Sequence, residues 1–534
     1  MSVSEKVRAD QSPESGRAQV LRAAGIVSAA FVASRILGLL RDVVIGYYFG
    51  ATSVEANAYR IAVRIPETIF FVIAGGALGS AFIPTFAGYF ARDDEAGAWR
   101  LFSAVINLVT VVLLLVCGVV FVFADEFLLL YLPELAGEAP RLLSLTVDLL
   151  RVMLLSTVIF GISGVFMAAL NARQHFLLPA IAPMVYNLGI IAGAVALAPN
   201  IMGLAWRAVV GAAGHLLVQV PGLRQHKAAY APILTLQHPG VRQVLRLMAP
   251  RILGLSFSQL NNLIIPFLAQ FLGLVFAIAA LDYAWRFVLM PHSILGQALG
   301  IAAFPTFATL AATMELPQMR RIFADTLRLI LFLGLPATIL LMALAEPLVA
   351  LAFQRGAFTA VDTALTASAL VAYAPGLVAL ASLEVVSRAF YAMEDTKTPV
   401  LAGALQLTLM AALGFLFSGW LFPRFGLRAL GGLALAISVS NLLETGLLLM
   451  LLRRKMSGIG GRRLWHGLWR MSLAALVMAL AVWLTRSSAA GLAPLWQLIL
   501  GGASGGIAYL LASLVLRVDE LYQILNHARQ RLPL

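Results

Sequence analysis

Long apolar stretches separated by short polar loops run through the whole chain. A membrane crossing needs about 20 apolar residues, so this pattern predicts about fourteen membrane-spanning helices and an all-α polytopic membrane protein. The predicted segments are residues 23–49, 57–90, 100–124, 143–171, 178–198, 201–222, 243–272, 276–310, 322–344, 364–391, 398–420, 428–452, 467–486 and 493–516. Pro66 and the GGALGS run at 75–80 interrupt the second segment, which predicts a kinked helix beside a cavity.

The loops on one side of the predicted bundle carry most of the cationic loop residues. They are Arg92, Arg100, Arg173, Arg224, Lys227, Arg320, Arg321, Lys397, Arg453, Arg454, Lys455, Arg462 and Arg463. The loops on the other side contain fewer cations, although Arg355, Arg424, Arg428 and Arg486 are exceptions. Cytoplasmic loops are enriched in Lys and Arg, so the pattern places both termini in the cytoplasm.

Several short motifs recur about 220 residues later in the same order. SRILG at 34–38 returns as PRILG at 250–254, and AFIPTFA at 81–87 returns as AAFPTFA at 302–308. An even number of spans in each half predicts two parallel six-helix repeats, which suggests a substrate site between them and alternating access by rocking. The predicted parts are a cytoplasmic tail 1–22, an N-lobe 23–222, a C-lobe 243–452, a C-terminal helix pair 467–516 and a cytoplasmic tail 517–534.

The composition excludes several classes of protein. Of 534 residues, 61% are hydrophobic and 12% are charged, which is too apolar for a soluble domain. The formal net charge is +13, but the basic residues are spread over short loops and helices, so no nucleic-acid partner is expected. The single cysteine, Cys117, lies in an apolar run and is expected to be a small buried side chain. The chain lacks Walker A, HExxH and GxSxG motifs and clustered histidines, which predicts a protein that is not an enzyme and needs no cofactor or metal.

Arginines inside the apolar segments are the strongest functional signal. Arg35, Arg41, Arg64, Arg251 and Arg286 each interrupt a predicted span. A charge at the bilayer centre costs about 2.5–3.5 kcal/mol on insertion scales, so we expect these side chains to face a shared, water-filled interior. The planar guanidinium binds phosphate oxygens in a bidentate manner. The pattern therefore predicts a transporter of an anionic cargo, and several converging arginines suit a pyrophosphate.

The residues beside these arginines leave more than one interpretation open. Asp42 follows Arg41 directly, and because adjacent helical residues point about 100° apart, we do not expect it simply to neutralise Arg41. Arg60, Arg64 and Glu67 share one helix face. Arg60 either lines the cavity or reaches the interface, and Arg64 either binds substrate or pairs with Glu67.

A second set of charged residues lies in the second half of the sequence. Asp282 is within one turn of Arg286 and is a candidate to orient it. Arg388 and Glu384 are expected to pair locally or to reach the inner interface.

The motifs in this chain resemble those of the MurJ/MviN family of lipid II flippases, in the MOP (MATE-like) superfamily. They are SRILGLLRD at 34–42, FGA at 49–51, GGALGSAFIPTFAGYF at 75–90, LNARQHFLLPAIAP at 170–183, PRILGLSFSQ at 250–259, ALGIAAFPTFA at 298–308, FQRGAFTAVD at 353–362 and FYAMEDTKTPV at 390–400. The resemblance implies fourteen helices and a central cavity, with the last two helices forming a groove for a polyprenyl tail. It also implies flipping of undecaprenyl-pyrophosphate-linked peptidoglycan precursor across the bacterial inner membrane.

The resemblance extends to individual residues. The essential cavity arginines of the family match Arg35, Arg41 and Arg286, and its basic residue before a Thr-Pro pair matches Lys397. The chain departs from the family at an aspartate that appears here as Asn57. Two further departures are an arginine replaced by Phe70 or Phe71 and an acidic residue replaced by Trp285. The acids of a sodium site known in some relatives are also missing, so sodium coupling is not expected.

The hypothesis favoured by the sequence is a monomeric lipid II flippase whose partners are its lipid cargo and the surrounding bilayer. One alternative is an exporter of another polyprenyl-pyrophosphate glycan, which would use the same cationic cavity. Another is a non-transporting membrane scaffold or lipid sensor, in which the arginines could be replaced without loss of function. A MATE-type exporter of cationic drugs is disfavoured, because its cavity should carry acids.

Overall fold

A computed structural model describes residues 13–197 and 200–523. Over these residues the protein is built from helices and contains no β-strand, so the predicted all-α membrane fold is confirmed. Eleven helices in the described ranges are long and apolar enough to cross a membrane. The helices that carry Arg35, Arg60 and Arg251 are not among them. The total of fourteen spans therefore stays a prediction.

The described chain divides into two compact units. The first comprises residues 13–49 and 54–263, and the second comprises residues 50–53 and 264–523. The predicted division into two lobes, a helix pair and two tails stays a prediction. Of the predicted tails, residues 1–12 and 524–534 lie outside the described part of the chain.

Within the described residues, eleven α-helices begin in the first unit. They are α1 (Pro13–Phe49), α2 (Val54–Phe70), α3 (Gly76–Phe90), α4 (Glu95–Val122), α5 (Ala124–Tyr131), α6 (Leu135–Glu138), α7 (Pro140–Ala172), α8 (Leu177–Leu197), α9 (Ile201–Leu217), α10 (Val220–Gln225) and α11 (Pro239–Phe271). Helix α1 starts ten residues before the predicted first segment, because the helix continues beyond the apolar run. Helix α11 continues into the second unit.

The remaining α-helices belong to the second unit. They are α12 (Ile278–His292), α13 (Leu299–Ala312), α14 (Leu316–Ala343), α15 (Ala345–Phe353), α16 (Ala360–Tyr373), α17 (Leu377–Ala392), α18 (Lys397–Leu416), α19 (Phe422–Arg424), α20 (Ala429–Lys455), α21 (Gly461–Ser488) and α22 (Pro494–Val515). Short 3-10 turns, Val275–Ala277 and Ala374–Gly376, precede α12 and α17.

Three π-helical turns interrupt long helical stretches. Phe71–Gly75 joins α2 to α3, Ser293–Ala298 joins α12 to α13, and Phe417–Leu421 joins α18 to α19. The first follows Pro66 and leads into the glycine-rich run, as the predicted interruption requires. Proline removes a backbone donor, and π-turns occur mostly as single turns inside α-helices.

Each unit is held together by its own apolar contacts. In the first unit, an aromatic cluster on α3 and α4 includes Phe82, Phe86 and Trp99, with the Phe86 and Trp99 rings 5.4 Å apart. In the second unit, helices α21 and α22 pack against α14. There the Tyr509 hydroxyl donates a hydrogen bond of 2.7 Å to the carbonyl of Phe332. Cys117 is buried, as predicted.

Candidate site around the buried arginines

The first unit contains a network of charged side chains centred on Asp42. Asp42 is fully buried on α1, and its Oδ1 accepts hydrogen bonds from Arg41 Nη2 at 3.2 Å and Arg60 Nη2 at 3.1 Å. Arg41 Nε is 3.3 Å from the same oxygen. Because Arg60 is on α2, the shared carboxylate joins α1 to α2.

The expectation that Asp42 would not neutralise Arg41 is wrong. The two Cβ atoms do diverge on the helix, but the long arginine side chain turns back and reaches the carboxylate with two of its nitrogens. The interpretation of Arg60 as an interfacial side chain is also not supported, since Arg60 is 4% exposed and pairs with Asp42. One buried carboxylate thus pairs with two guanidinium groups, and the three residues together carry a formal charge of +1.

Asn187 on α8 completes this network, and its role could not be predicted from the sequence alone. Its Oδ1 accepts a hydrogen bond from Arg41 Nη1 at 3.2 Å. Its Nδ2 lies 3.4 Å from the carbonyl of Ser34 on α1. An amide inside an otherwise apolar helix was the available signal, because buried polar groups require hydrogen-bond partners. Arg41 is therefore oriented from two sides, and its side chain remains 17% exposed.

Arg64 and Asn57 are also buried on α2, at 7% and 0% exposure. The Arg64 guanidinium donates a hydrogen bond to the backbone carbonyl of Asn262 on α11. Close by in sequence on α11, the carbonyl of Leu263 accepts a hydrogen bond from Tyr131. Glu67 is exposed. Arg64 thus fastens α2 to α11 within the first unit.

The other predicted arginines lie on three different helices. Arg35 is half-buried on α1, whereas Arg251 is exposed on α11. Arg286 is half-buried on α12, and Asp282, one turn earlier on the same helix, is half-buried too. Arg35 and Arg251 belong to the first unit and Arg286 to the second. That these side chains converge on one cavity stays a prediction.

A second group of titratable side chains lies on α12 and α17. Arg388 pairs with Glu384, so the predicted local pairing is confirmed. His292 Nε2 lies 3.7 Å from Glu384 Oε1, a contact that the sequence did not indicate. The described residues contain no group of three or more His, Cys, Asp or Glu side chains that could hold a metal ion.

Lys397 is exposed at the start of α18. The neighbouring Asp395 accepts a hydrogen bond of 2.7 Å from Lys455 at the end of α20. This hydrogen bond lowers the pKa of Asp395 to about 2. The carboxylate also accepts from the backbone and hydroxyl of Thr398, so it caps α18 and ties it to α20.

Comparison with known proteins agrees with these observations. A family model described as lipid II flippase MurJ matches residues 45–500. The chain belongs to the MurJ family. It is 30% identical over 446 residues to the lipid II flippase MurJ of Burkholderia cenocepacia, covering 82% of this chain and 84% of that protein. It is 30% identical over 499 residues to the probable lipid II flippase MurJ of Thermotoga maritima, covering 92% of this chain and 96% of that protein.

Solved structures show the same fold. The inward closed conformation of a lipid II flippase MurJ aligns with a TM-score of 0.75 at 24% identity and covers 93% of this chain and 99% of that one. An inward-facing MATE-family multidrug resistance transporter aligns with a TM-score of 0.68 at 13% identity, over 79% of this chain and 94% of that one. The predicted MurJ-like, MATE-related fold is confirmed. Members of the MurJ family are transporters, so the prediction that the chain is not an enzyme is confirmed as well.

Proposed function

We propose that this MurJ-family chain moves lipid II from the inner to the outer leaflet of the bacterial inner membrane. The observation that carries the proposal is the Arg41 network. It is cationic, it lies among apolar helices, and Arg41 is its most exposed arginine. Lipid II combines a pyrophosphate with a long polyprenyl tail, so its carrier needs cationic groups within an apolar protein.

The network favours an anionic ligand for an electrostatic reason. Arg41 and Arg60 both pair with the carboxylate of Asp42, so these three residues together carry a formal charge of +1. Charges interact more strongly in a low-dielectric interior than in water. A pyrophosphate oxygen near Arg41 would be attracted by this positive charge and would accept further hydrogen bonds from the five-donor guanidinium.

We assign different roles to the arginines. Arg41 contacts the pyrophosphate, while Asp42 and Asn187 hold its guanidinium in place. Arg60 and Arg64 stabilise the helices around it, since both are more deeply buried and bind protein groups. We propose that Arg35, Arg286 and Arg251 supply additional positive charge along the path of the cargo, with Asp282 orienting Arg286.

We propose that transport proceeds by alternating access. The MATE-related fold supports this mechanism, because inward-facing and outward-facing forms of MATE-family transporters are both among its structural neighbours. The excess of cationic loop residues on one side supports a cytoplasmic location for both termini. The chain is proposed to act as a monomer.

Complementation tests the proposal in cells. A bacterium depleted of its own lipid II flippase would receive the wild-type chain, Arg41→Ala or Arg286→Ala, each checked for membrane expression. Arg141→Ala is the matched control, because Arg141 is an exposed arginine with a side chain 78% accessible that pairs with Glu55. We expect the wild type and the control to restore growth and the two other variants to fail.

Two results would contradict the proposal in different ways. Failure of a well-expressed wild type would point to another polyprenyl-pyrophosphate glycan as the cargo, consistent with the changes at Asn57 and Trp285. Rescue by both Arg41→Ala and Arg286→Ala would reject pyrophosphate binding by these arginines and favour a non-transporting role.

A further inference from the structure

A four-residue turn connects the two helices that carry the arginine network. This strap, Gly50–Ser53, joins α1 to α2. Both helices belong to the first unit, whereas the strap itself belongs to the second unit. The strap overlaps the FGA motif at 49–51, and the arginine network described above does not explain the presence of this motif. Its contacts are made with the FQRGAFTAVD motif at 353–362.

Asp362, at the start of α16, binds the strap with one carboxylate oxygen and its own helix end with the other. Oδ1 accepts from the Ala51 backbone amide at 3.2 Å and from the Thr52 hydroxyl at 2.9 Å. Oδ2 accepts from the backbone amide and hydroxyl of Thr359 at 2.8 and 2.9 Å. Asp362 is 2% exposed. Because all four partners donate, the site requires a side chain that only accepts.

Gly50 fits the strap closely against the same motif. Its φ of +69° lies in the left-handed region, and a Cβ at this position would lie 2.9 Å from the carbonyl oxygen of Ala357. The Tyr283 hydroxyl is 3.5 Å from the Gly50 carbonyl. The Tyr283 ring packs on Phe353 at 4.8 Å, so the surface that receives the strap is itself firmly packed.

Gly273, in the turn that follows α11, provides a natural comparison. Its φ of +64° is nearly the same as that of Gly50, but a Cβ there would meet nothing within 4 Å. An alanine at either position would suffer a similar backbone strain. Only at Gly50 would it also collide with another segment.

We propose that Asp362 is a positioning residue for transport, which fastens the strap and thereby fixes the conformation of the connection between α1 and α2. The inference rests on the proposed function, because α1 carries Arg35 and Arg41. Release of the strap from Asp362 loosens this connection during the transport cycle. An aspartate at this position therefore controls how readily the cationic site reorients, without contacting the cargo.

Cysteine labelling tests this inference without any cargo. In a Cys117→Ser background, Ser53→Cys places a single thiol in the strap, and its rate of reaction with a maleimide is measured in purified, folded protein. Hydrogen bonds to a charged group are worth about 1.5–3 kcal/mol, so Asp362→Asn is expected to raise the labelling rate roughly tenfold. Asp362→Glu, which keeps the acceptor-only group, should restore slower labelling.

Gly50→Ala disturbs the same contact by changing the strap instead of Asp362, because the new Cβ would collide with the Ala357 carbonyl. It should accelerate labelling, whereas Gly273→Ala should label like the parent protein. Thr52→Val removes one of the four hydrogen bonds and gives a smaller increase, which provides a milder variant if Asp362→Asn does not fold. The proposal would be overturned if Asp362→Asn and Gly50→Ala were both labelled at the parent rate. If Asp362→Asn does not fold, labelling of Thr52→Val at the parent rate would overturn it.

A transport measurement separates positioning from general damage. In vesicles, Asp362→Asn should change the turnover rate of lipid II while leaving the half-saturating lipid II concentration within about twofold, because Asp362 does not contact the cargo. A change confined to that concentration would contradict the inference. If the wild-type chain does not transport lipid II, the labelling result still decides whether Asp362 holds the strap.

Discussion

At the scale of single residues, the arginine network shows how a charged side chain is tolerated among apolar helices. Asp42 forms an ion pair with Arg60, which offsets the cost of burying the Arg60 charge. Arg41 is held in one orientation because three of its nitrogens donate hydrogen bonds to Asp42 and Asn187. A buried ion pair contributes little net stability over an apolar pair, but removing one partner leaves an uncompensated charge. Loss of Asp42 is therefore expected to destabilise the first unit.

Asp42→Asn should destabilise the protein strongly. The amide removes the negative charge that pairs with both guanidinium groups, and such a loss typically costs about 3–5 kcal/mol. Glu55→Gln is the matched control, since Glu55 forms an exposed pair with Arg141, and exposed pairs are worth about 0–1 kcal/mol. Thermal unfolding in detergent measures both variants. Equal stability of Asp42→Asn and the wild type would contradict the assigned role.

Some of these residues could be predicted from the sequence, and others could not. Arg35, Arg41 and Arg64 stand out because charges are rare in apolar segments. The pairing of Arg60 with Asp42 could not be predicted, since it depends on how α1 and α2 pack. Asn187 lies 146 residues from Arg41, and no local pattern relates residues at that distance.

At the scale of helices, close packing depends on a few small residues. Helices α21 and α22 approach closely at Gly505, where a Cβ would lie 2.6 Å from Val482 Cγ2 and 3.2 Å from Met478 Cε. Small residues permit such approaches between membrane helices. A Cβ on the next residue, Gly506, would meet nothing within 4 Å, so this glycine faces open space.

Gly505→Val should weaken the contact between α21 and α22. Overpacking of this kind costs about 1–3 kcal/mol, and we expect a lower unfolding temperature in detergent. Gly506→Val introduces the same β-branched side chain into the same helix at a position where a Cβ meets nothing within 4 Å, and it should unfold near the wild-type temperature. Indistinguishable unfolding of the two variants would show that the approach at Gly505 is not important for stability.

Helix positions were more predictable than helix ends. The apolar pattern located the long helices, but α1 begins at Pro13 rather than at residue 23, because helical structure continues past the apolar run. The capping box formed by Thr359 and Asp362 follows from its sequence spacing. The hydrogen bonds that Asp362 accepts from Ala51 and Thr52 could not be predicted in this way, because these residues are 311 and 310 positions away in the sequence.

At the scale of the whole molecule, the chain joins a MATE-related fold to a proposed cationic cargo site. The MurJ family model covers residues 45–500, and the fold aligns with a MurJ structure over 93% of this chain. The internal repeat and the arginines in apolar segments already indicate a transporter of this kind from the sequence. The strap adds a proposed positioning contact, since Asp362 holds the connection that follows α1.

The central claim is that Arg41 binds the pyrophosphate of lipid II during transport. The most direct test is the rate at which lipid II crosses the membrane of vesicles containing wild type, Arg41→Ala or Arg141→Ala. Loss of charge-assisted hydrogen bonds should slow the Arg41→Ala rate roughly tenfold or more, while Arg141→Ala should match the wild type. Equal rates for folded Arg41→Ala and wild type would contradict the claim.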